Sequence, residues 1–299
     1  MSMDRNVVVA AVAALALGLA LRLLRRGAPP PDRGGSLGVV ALRQTIVLVR
    51  HGDRFDYADP SWLPLIRAKG GKERDPPLST LGHRQARELG AALAEFLAGR
   101  IVRVASSPYL RCLQTIRPLA HDLGVPIDVD EALAEIEHHA SNTATTDERF
   151  VTFPEVRNAA DGSPTCLEAP REGWPVEYME RLRNFAADLD RRFGAPDAEE
   201  TLVLVSHAAS VALVSALLDQ ELTPENRFAP AGMYVLGRDS VAEPWKLLRA
   251  GDNNAPYVST NAATTFPWGF KQEYLDAWTA KHRAAFPASQ LKVVNFSFS

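Results

Sequence analysis

The sequence predicts an α/β protein with a mainly parallel sheet and helices on both of its faces. Residues 45–49 and 201–205 are nearly identical runs of β-branched residues and leucine, a composition typical of buried parallel strands. Segments with the apolar spacing of helices alternate with strands of this kind along the chain. A histidine follows each run at the same distance from its threonine, namely His51 and His207. Because ligands bind beyond the carboxyl ends of parallel strands, both histidines face one site if the two strands lie close together.

The first half of the predicted domain contains one long helix between two strands. An irregular stretch with several prolines and glycines follows the first strand and reaches Pro77. Ser79 or Thr80 caps a helix that extends to about Leu97 and stops at a glycine just beyond it. A second strand is then predicted at residues 101–105.

The remaining segments continue the alternation of helices and strands. A helix begins after Ser106-Ser107-Pro108, and an insertion rich in proline and polar residues lies over the active face at 137–175. The other predicted segments are a strand at 127–129, a helix at 176–193, the strand at 201–205, a helix at 211–218 and a strand at 232–236. The aromatic tail beyond Gly251 has no regular pattern.

Length and composition are those of a globular protein and exclude several classes of function. The chain has 299 residues, of which 46% are hydrophobic and 23% charged, enough for one large domain or two small ones. A net charge of −3 gives no general attraction to nucleic acid, so we expect no nucleic-acid partner. Cys112 and Cys166 predict no disulfide framework. The sequence contains neither a zinc-ligand spacing nor a phosphate-binding glycine loop.

Residues 1–26 are predicted to form a hydrophobic membrane anchor. An unbroken apolar run at 7–21 is followed by an arginine-rich segment with two leucines. A spanning helix needs about 20 apolar residues, and the leucines extend the run if Arg22 reaches the interface. A cleaved secretory signal is an alternative, although its basic residues should precede the apolar run. A mitochondrial targeting segment, or an anchor in a mitochondrial membrane, is another.

A linker rich in proline and glycine is predicted at 27–41, between the anchor and a domain at 42–299. The arginines on the linker side of the apolar run outnumber Arg5 on its other side. Because basic residues favour the cytoplasmic side of a membrane, we expect a single-pass membrane protein whose domain faces the cytosol.

The residues around His51 suit chemistry on a phosphoryl group. Arg50 directly precedes this histidine, and Arg54 follows it closely. A guanidinium group binds phosphate through paired hydrogen bonds and keeps its charge. A neutral imidazole can attack phosphorus and become a phosphohistidine, after which another acid or base must serve the leaving group and the water. The sequence therefore predicts a nucleophile inside a phosphate clamp.

Four motifs between Thr45 and Leu218 together indicate a known family. They are Arg50-His51-Gly52 after a strand, Leu78-Ser79-Thr80-Leu81-Gly82 with Gln85-Ala86, Ser106-Ser107-Pro108-Tyr109-Leu110-Arg111 with Thr115, and Ser206-His207 after a second strand. In this order they resemble the histidine phosphatase superfamily, in the branch that also contains the cofactor-dependent phosphoglycerate mutases. The resemblance implies phosphoryl transfer through a phosphohistidine, without a metal or another cofactor.

The resemblance also implies a role for each matching residue. His51 corresponds to the nucleophile of the family, and His207 corresponds to the second histidine, which contacts the phosphoryl oxygens. The phosphate clamp corresponds to Arg50, Arg54 and Arg111. All of these residues are predicted to meet at one site.

The proton donor of the family usually stands in a Leu-x-Glu segment after a short strand. Leu133-Ala134-Glu135 fits this pattern, so Glu135 is the candidate and Glu137 the alternative. The adjacent pair His138-His139 is predicted to be exposed to solvent rather than to bind metal. Asp75 is interpreted as an ordinary acid of a loop.

The residues after the first histidine point to one subgroup of the superfamily. The mutases place a small hydroxyl residue and an asparagine there, whereas this chain has Asp53-Arg54-Phe55-Asp56. Together with Trp62 and Ser206-His207-Ala208-Ala209-Ser210, this pattern resembles the phosphatases that carry ubiquitin-associated and SH3 domains. We expect no such accessory domain in the residues before Leu42, so a role in tyrosine signalling does not carry over from the resemblance.

These observations predict a membrane-anchored phosphatase that hydrolyses a phosphomonoester through a phosphohistidine on His51. Its expected partners are a phosphorylated small molecule or protein and, through the anchor, a membrane. One alternative is a phosphomutase of the phosphoglycerate mutase type, which would have to keep water from the phosphohistidine. Another is a catalytically inactive interaction module at a membrane, which would have no chemical need for the intact set of arginines and histidines.

Overall fold

A computed structural model describes residue 37 and residues 41–69, 75–135, 156–158, 176–192, 199–259 and 268–276. All of these belong to the unit Ser36–Ser299. The predicted anchor, almost all of the predicted linker and most of the predicted insertion lie outside the described residues. Among the helices that are described, none combines the length and the apolar character required to cross a membrane.

A seven-stranded sheet forms the centre of the described structure. Its strands are β1 (Gln44–Arg50), β2 (Ile101–Ser106), β3 (Ile127–Val129), β4 (Val156–Asn158), β5 (Glu200–Ser206), β7 (Met233–Arg238) and β8 (Lys246–Arg249), and a separate pair consists of β6 (Arg227–Phe228) and β9 (Trp268–Gly269). The order in the sheet is β4-β3-β2-β5-β1-β7-β8. The first five strands in this order run parallel, while β7 and β8 pair antiparallel at one edge. The prediction of a mainly parallel α/β fold is confirmed.

Within the described residues, six helices accompany the sheet. They are α1 (Phe55–Ala58), α2 (Trp62–Ala68), α3 (Thr80–Phe96), α4 (Leu110–Leu123), α5 (Val176–Asp188) and α6 (Val211–Leu218), with short 3-10 helices at Glu131–Leu133, Leu189–Arg192 and Ala208–Ser210. The bounds of α3 and α6 match the predicted helices closely. The segment predicted as one helix at 176–193 is instead α5 followed by a 3-10 turn.

Alternate residues of the central strands enter two different hydrophobic cores. The first core joins strand residues to α3 and α4 through Val47, Val49, Val203, Val205, Leu89, Leu93, Leu113 and Ile116. The second joins the intervening strand residues to α5 and α6 through Ile46, Leu48, Leu202, Leu204, Tyr178, Leu182, Phe185, Val211 and Leu213. Because successive side chains of a strand point to opposite faces, helices cover both faces of the sheet. Each fully buried side chain of this kind contributes about 1.5–3 kcal/mol.

The two similar strands are neighbours in the sheet. Thr45 of β1 is aligned with Thr201 of β5, and Arg50 is aligned with Ser206. The N–H of His51 donates a hydrogen bond to the carbonyl oxygen of Ser206 at 3.0 Å. The matched register therefore brings the residues that follow both strands to one edge of the sheet, as the repeat predicted.

Two helices occupy a stretch that the sequence predicted to be irregular. Pro64 stands in the first turn of α2, where a missing backbone N–H costs nothing because that group has no partner inside the helix. None of the side chains of α1 or α2 is buried, so no apolar stripe marks either helix in the sequence. The short edge strand β8, which is partly exposed, also has no strong pattern.

Candidate active site

The candidate nucleophile His51 lies directly after β1 and is buried. Its Nδ1 is 2.7 Å from the carbonyl oxygen of Gly52. Because a carbonyl oxygen only accepts hydrogen bonds, Nδ1 carries the proton and Nε2 keeps its lone pair. An imidazole needs this free lone pair in order to attack phosphorus.

Hydrogen bonds from α3 and α4 hold the loop that follows this histidine. The Gly52 N–H donates to Thr115 Oγ1 of α4 at 3.0 Å, and the Asp53 N–H donates to Gln85 Oε1 of α3 at 2.8 Å. Ser79, the N-cap of α3, donates through its hydroxyl to Asp53 Oδ2 at 2.5 Å. The loop is therefore bound to two rigid elements, which limits the orientations that the nucleophile can adopt.

Helix α3 approaches this loop so closely that Gly82 has no room for a side chain. A Cβ at this position would overlap the carbonyl oxygen of Asp53. The Gly82 N–H in turn donates to Ser79 Oγ at 2.9 Å, which completes the N-cap. The predicted cap and the Leu-Ser-Thr-Leu-Gly motif thus both serve the loop of the candidate nucleophile.

His207 lies beyond β5, fully buried and beside the first histidine. The ring centroids of His51 and His207 are 5.4 Å apart. Arg111 NH2 lies 3.1 Å from His207 Nδ1, and Ser107 Oγ lies 2.8 Å from Nε2. Because a guanidinium only donates hydrogen bonds, Nδ1 accepts one, and the proton is on Nε2 and is donated to Ser107. The edge of Tyr109 closes the other side, with ring centroids 5.0 Å apart.

Arg50 and Arg54 stand on either side of the candidate nucleophile in the chain. Arg50 is 8% exposed and donates through NH1 to the carbonyl oxygen of Phe228. Arg54 forms a bidentate pair with Asp56, with distances of 3.0 and 2.7 Å. The guanidinium of Arg54 also stacks over the Tyr57 ring at 4.4 Å. These contacts orient both guanidinium groups. The partner of Arg50 is a carbonyl oxygen and not a carboxylate, so this contact does not neutralise the charge of Arg50.

Arg111 is buried between two carboxylates, and one of them was not recognised in the sequence. Its NH1 is 3.6 Å from Asp75 Oδ1, and its NH2 is 3.7 Å from Glu135 Oε2. Asp75 also accepts a hydrogen bond from the N–H of Leu110, at the start of α4, at 2.9 Å. The interpretation of Asp75 as an ordinary loop acid is therefore wrong, because this side chain is buried and orients Arg111.

Glu135 reaches the same site from the turn after β3. Its Oε2 is 3.4 Å from His207 Nδ1, and its side chain is 26% exposed. A carboxyl group in this position lies beside a buried imidazole and also reaches solvent, which suits the proton donor that the resemblance implies. The alternative donor, Glu137, lies outside the described residues, as does the pair His138-His139.

Burial and positive charge keep both imidazoles neutral. Burial, with the positive charges of Arg111 and Arg50 in addition, lowers the pKa of His51 well below its usual value of 6.5. Burial, together with Arg111, lowers the pKa of His207 in the same direction. Burial also lowers the pKa of Arg50 to about 10, so this side chain stays charged at neutral pH. The site thus presents two neutral imidazoles, of which His51 has a free nitrogen lone pair, within a field that attracts anions.

The structure brings all of the predicted site residues together at the carboxyl edge of the sheet. The family model of the histidine phosphatase superfamily (branch 1) matches residues 46–252, which include every one of these side chains. The chain belongs to this superfamily. The resemblance predicted from the four motifs is confirmed.

Curated relatives of this histidine phosphatase superfamily member include the mouse and human ubiquitin-associated and SH3 domain-containing protein A. The mouse protein is 30% identical over 175 residues, which cover 46% of this chain and 27% of the relative. The human protein is 32% identical over 213 residues, which cover 59% of this chain and 31% of the relative. The chain therefore spans less than a third of the length of these relatives.

A solved structure with a similar fold is the ecdysone phosphate phosphatase of Bombix mori, determined in complex with tungstate. The two chains are 19% identical with a TM-score of 0.52, and the match covers 70% of this chain and 93% of the other. This likeness shows the fold of the superfamily member, in agreement with the sheet described above.

Several residues that contact the candidate catalytic side chains or their loop were not predicted from the sequence to belong to the site. Gln85, Ser107 and Thr115 stand within the quoted motifs, yet the sequence does not reveal which groups they contact. Asp75 belongs to no motif. In the structure, its burial beside Arg111 distinguishes it from exposed acidic residues. Within the described part of the chain, no group of three or more His, Cys, Asp or Glu side chains is arranged to hold a metal ion.

Proposed function

We propose that this protein hydrolyses phosphomonoesters through a phosphohistidine on His51. The observation that carries the proposal is the pair of neutral, buried imidazoles 5.4 Å apart within a cluster of arginines. His51 has its Nε2 lone pair available, because Nδ1 donates to Gly52. A transferring phosphoryl group carries charge on several oxygens, and catalysis depends on positioning and on stabilising that charge.

In the proposed first step, the phosphoryl oxygens are bound by Arg50, Arg54 and Arg111. His51 Nε2 attacks phosphorus as the bond between phosphorus and the leaving oxygen breaks. Glu135 gives its proton to that oxygen, so the product leaves as a neutral alcohol. The new nitrogen–phosphorus bond forms the phosphohistidine.

In the proposed second step, water attacks phosphorus on the side that the alcohol has left. Glu135, now ionised, takes a proton from this water, and the nitrogen–phosphorus bond breaks. Inorganic phosphate leaves and His51 returns to its neutral state. The 26% exposure of the Glu135 side chain allows water to reach this carboxylate.

Trapping of the phosphoenzyme tests the proposal. Brief incubation with a phosphomonoester radiolabelled on phosphorus should yield a protein adduct that is labile in acid and stable in base. His51→Ala should give no adduct and no turnover, because it removes the attacking nitrogen. Full activity of this variant would refute the assignment. Added bisphosphoglycerate should not raise turnover, whereas an absolute need for it would favour a phosphomutase.

We also propose that residues 1–26 anchor the protein in a membrane, with the domain on the cytosolic side. The unbroken apolar run at 7–21 and the arginines that follow it support this proposal. The anchor would place the phosphatase site near substrates at the membrane surface.

A further inference from the structure

The turn that carries Glu135 is held by side chains from two other elements. It consists of the 3-10 helix Glu131–Leu133 and the extended residue Ala134. The last carbonyl groups of a helix have no partner inside that helix and need donors from elsewhere. Here the donors come from Arg181 on α5 and from Ser206 at the end of β5.

Arg181 donates to three carbonyl oxygens of this turn, and that of Glu131 also accepts from the Ala134 N–H at 2.9 Å. Its NH1 donates to the carbonyl oxygens of Ala132 at 2.5 Å and Glu131 at 3.2 Å, and its NH2 donates to that of Ala134 at 3.1 Å. The remaining carbonyl, that of Leu133, accepts from Ser206 Oγ at 2.7 Å. Four successive carbonyl groups before Glu135 are thus bound by side chains, and these contacts link the turn to the strand that carries His207.

The fork of an arginine is well suited to this task. Its nitrogens point in fixed directions, so one side chain can bind several carbonyl oxygens with little loss of freedom per bond. The guanidinium of Arg181 also stacks over the ring of Tyr178, one turn earlier on α5, at 4.8 Å. Tyr178 is itself fully buried against the sheet, which fixes the plane of the guanidinium.

We propose that Arg181 is a positioning residue for the proton transfer by Glu135. It holds the turn so that the carboxyl group stays at the reaction centre, 3.4 Å from His207 Nδ1. The inference rests on the proposed function, in which Glu135 protonates the leaving oxygen. Loosening of the turn should leave phosphate binding and attack by His51 intact, and should impair only the proton transfer.

Arg181 also affects the same site through its charge, which acts on the pKa of His207. Arg181 is one of the positive charges that lower the pKa of His207, after burial, Arg111, His51 and Arg54. A variant that keeps the charge but loses the fork separates the two effects. Arg181→Lys is that variant, because an ammonium group retains the charge and has a single nitrogen instead of a planar fork.

The experiment compares kcat/KM for two substrates, 4-nitrophenyl phosphate and glycerol 2-phosphate. This constant reports the steps up to release of the alcohol, so it isolates the first proton transfer. The nitrophenolate leaves without a proton, whereas the alkoxide of glycerol requires one. Arg181→Met should lower kcat/KM at least about tenfold for the alkyl ester and less than about twofold for the aryl ester, as a fraction of a general-acid effect of about 100-fold or more.

The lysine variant and a double variant test whether Arg181 acts through the position of Glu135. Arg181→Lys should show the same selectivity for the alkyl ester, because it too lacks the fork. Arg181→Met combined with Glu135→Gln should be no worse than Glu135→Gln alone, because both changes remove the same proton transfer. Arg183→Met, an exposed arginine about 200° further round α5, is the matched control and should leave both constants unchanged.

The outcomes that would overturn the inference are distinct from those that would overturn the proposed function. Equal losses for both substrates in both Arg181 variants, or an additive loss in the double variant, would make Arg181 a structural residue only. Wild-type constants in both variants would also overturn its role. If Glu135→Gln itself showed no preference between the substrates, the proton-donor assignment would fail, and the inference would fail with it.

Discussion

At the scale of single residues, the site combines neutral imidazoles with guanidinium groups that are held by specific partners. Arg54 is oriented by Asp56 and Arg111 by Asp75, while Arg50 binds a backbone carbonyl. Positive charges this close to a histidine make its protonated form unfavourable. The site therefore favours binding of an anion, because bound phosphate would offset the repulsion between these positive charges.

The lowered pKa values predict how stability depends on pH. In the unfolded chain, histidine titrates near 6.5, while the folded values of His51 and His207 are lower. The unfolded state therefore binds more protons below about pH 6.5, so this contribution to stability is complete above that pH and is lost as pH falls. Denaturant unfolding at pH 7.5, 6.5 and 5.5 should show a decrease of up to about 1.4 kcal/mol per pH unit for each histidine.

A comparison with His51→Asn isolates the contribution of one histidine from that of the carboxyl groups. The variant lacks the titrating imidazole, so its stability should fall less steeply between pH 6.5 and 5.5. Inorganic phosphate should raise the free energy of unfolding of the unsubstituted protein, because it binds the folded state. Identical slopes for the two proteins would contradict a lowered pKa of His51.

The role of Glu135 predicts a dependence on the leaving group. Glu135→Gln should lower kcat/KM for an alkyl phosphate by about 100-fold or more, and for an activated aryl phosphate much less, because only the alkoxide needs a proton. Steady-state assays with both esters measure the difference. Glu131→Gln removes a carboxylate from the same turn and serves as a control without this selectivity. Equal losses for both esters would indicate that Glu135 binds phosphate or is structural, and Glu137 would be tested next.

At the scale of elements, α3 acts as a support for the loop that follows β1. Its N-cap, Ser79, and the side chain of Gln85 both bind Asp53, and the helix backbone approaches that residue at Gly82. The capping signal and the apolar stripe were sufficient to predict the helix. Its contact with the loop could not be predicted, because a helical period records which face is buried and not what covers it.

The close approach at Gly82 predicts that a single methyl group disturbs the site. Gly82→Ala should push the Asp53 carbonyl away, displace the His51 loop and lower kcat/KM with any ester, with a loss of about 1–3 kcal/mol in the free energy of unfolding. Enzyme assays and denaturant unfolding measure the two effects.

Gly90→Ala is the matched control for this experiment. It lies on the same helix and gains the same helix propensity, but its Cβ would meet Leu119 and Pro118 of α4 at 3.2 Å instead of the loop. Small shifts of these neighbours should leave kcat/KM unchanged. A Gly82→Ala variant that is as active as Gly90→Ala would show that the loop adapts without cost.

At the scale of the whole molecule, location and chemistry are expected to reside in separate parts of the chain. The predicted anchor and the motifs of the site are separated by a linker rich in proline and glycine. Leu37, inside the predicted linker, is buried in the first core, so the cut belongs before Ser36. Deletion of the first 35 residues should therefore give a soluble enzyme with unchanged kcat/KM on a soluble ester.

Fractionation of the full-length protein tests the anchor itself. The full chain should remain in the membrane fraction after carbonate washing, since a spanning helix resists this treatment. Protease added to intact vesicles that expose their cytosolic face should remove the domain. Release by carbonate would contradict the anchor, and protection from protease would contradict the proposed orientation.

The sequence by itself was sufficient to predict the fold class and the site residues that stand within recognisable motifs. Two strands with the same pattern, each followed by a histidine, predicted a shared edge, and the register of Thr45 with Thr201 places His51 and His207 there. This inference succeeds because burial on both faces leaves a continuous apolar run, and because parallel strands end at the same edge.

The tertiary structure alone decided which distant groups orient those residues. Asp75 reaches Arg111 from a stretch without a pattern, and Arg181 crosses from α5 to the turn of Glu135. Such contacts depend on where loops and helices meet after the sheet has formed. A single polar residue carries no period in the sequence that would record its partner, so only the packed chain shows that Asp75 lies beside Arg111 and that Arg181 binds the turn before Glu135.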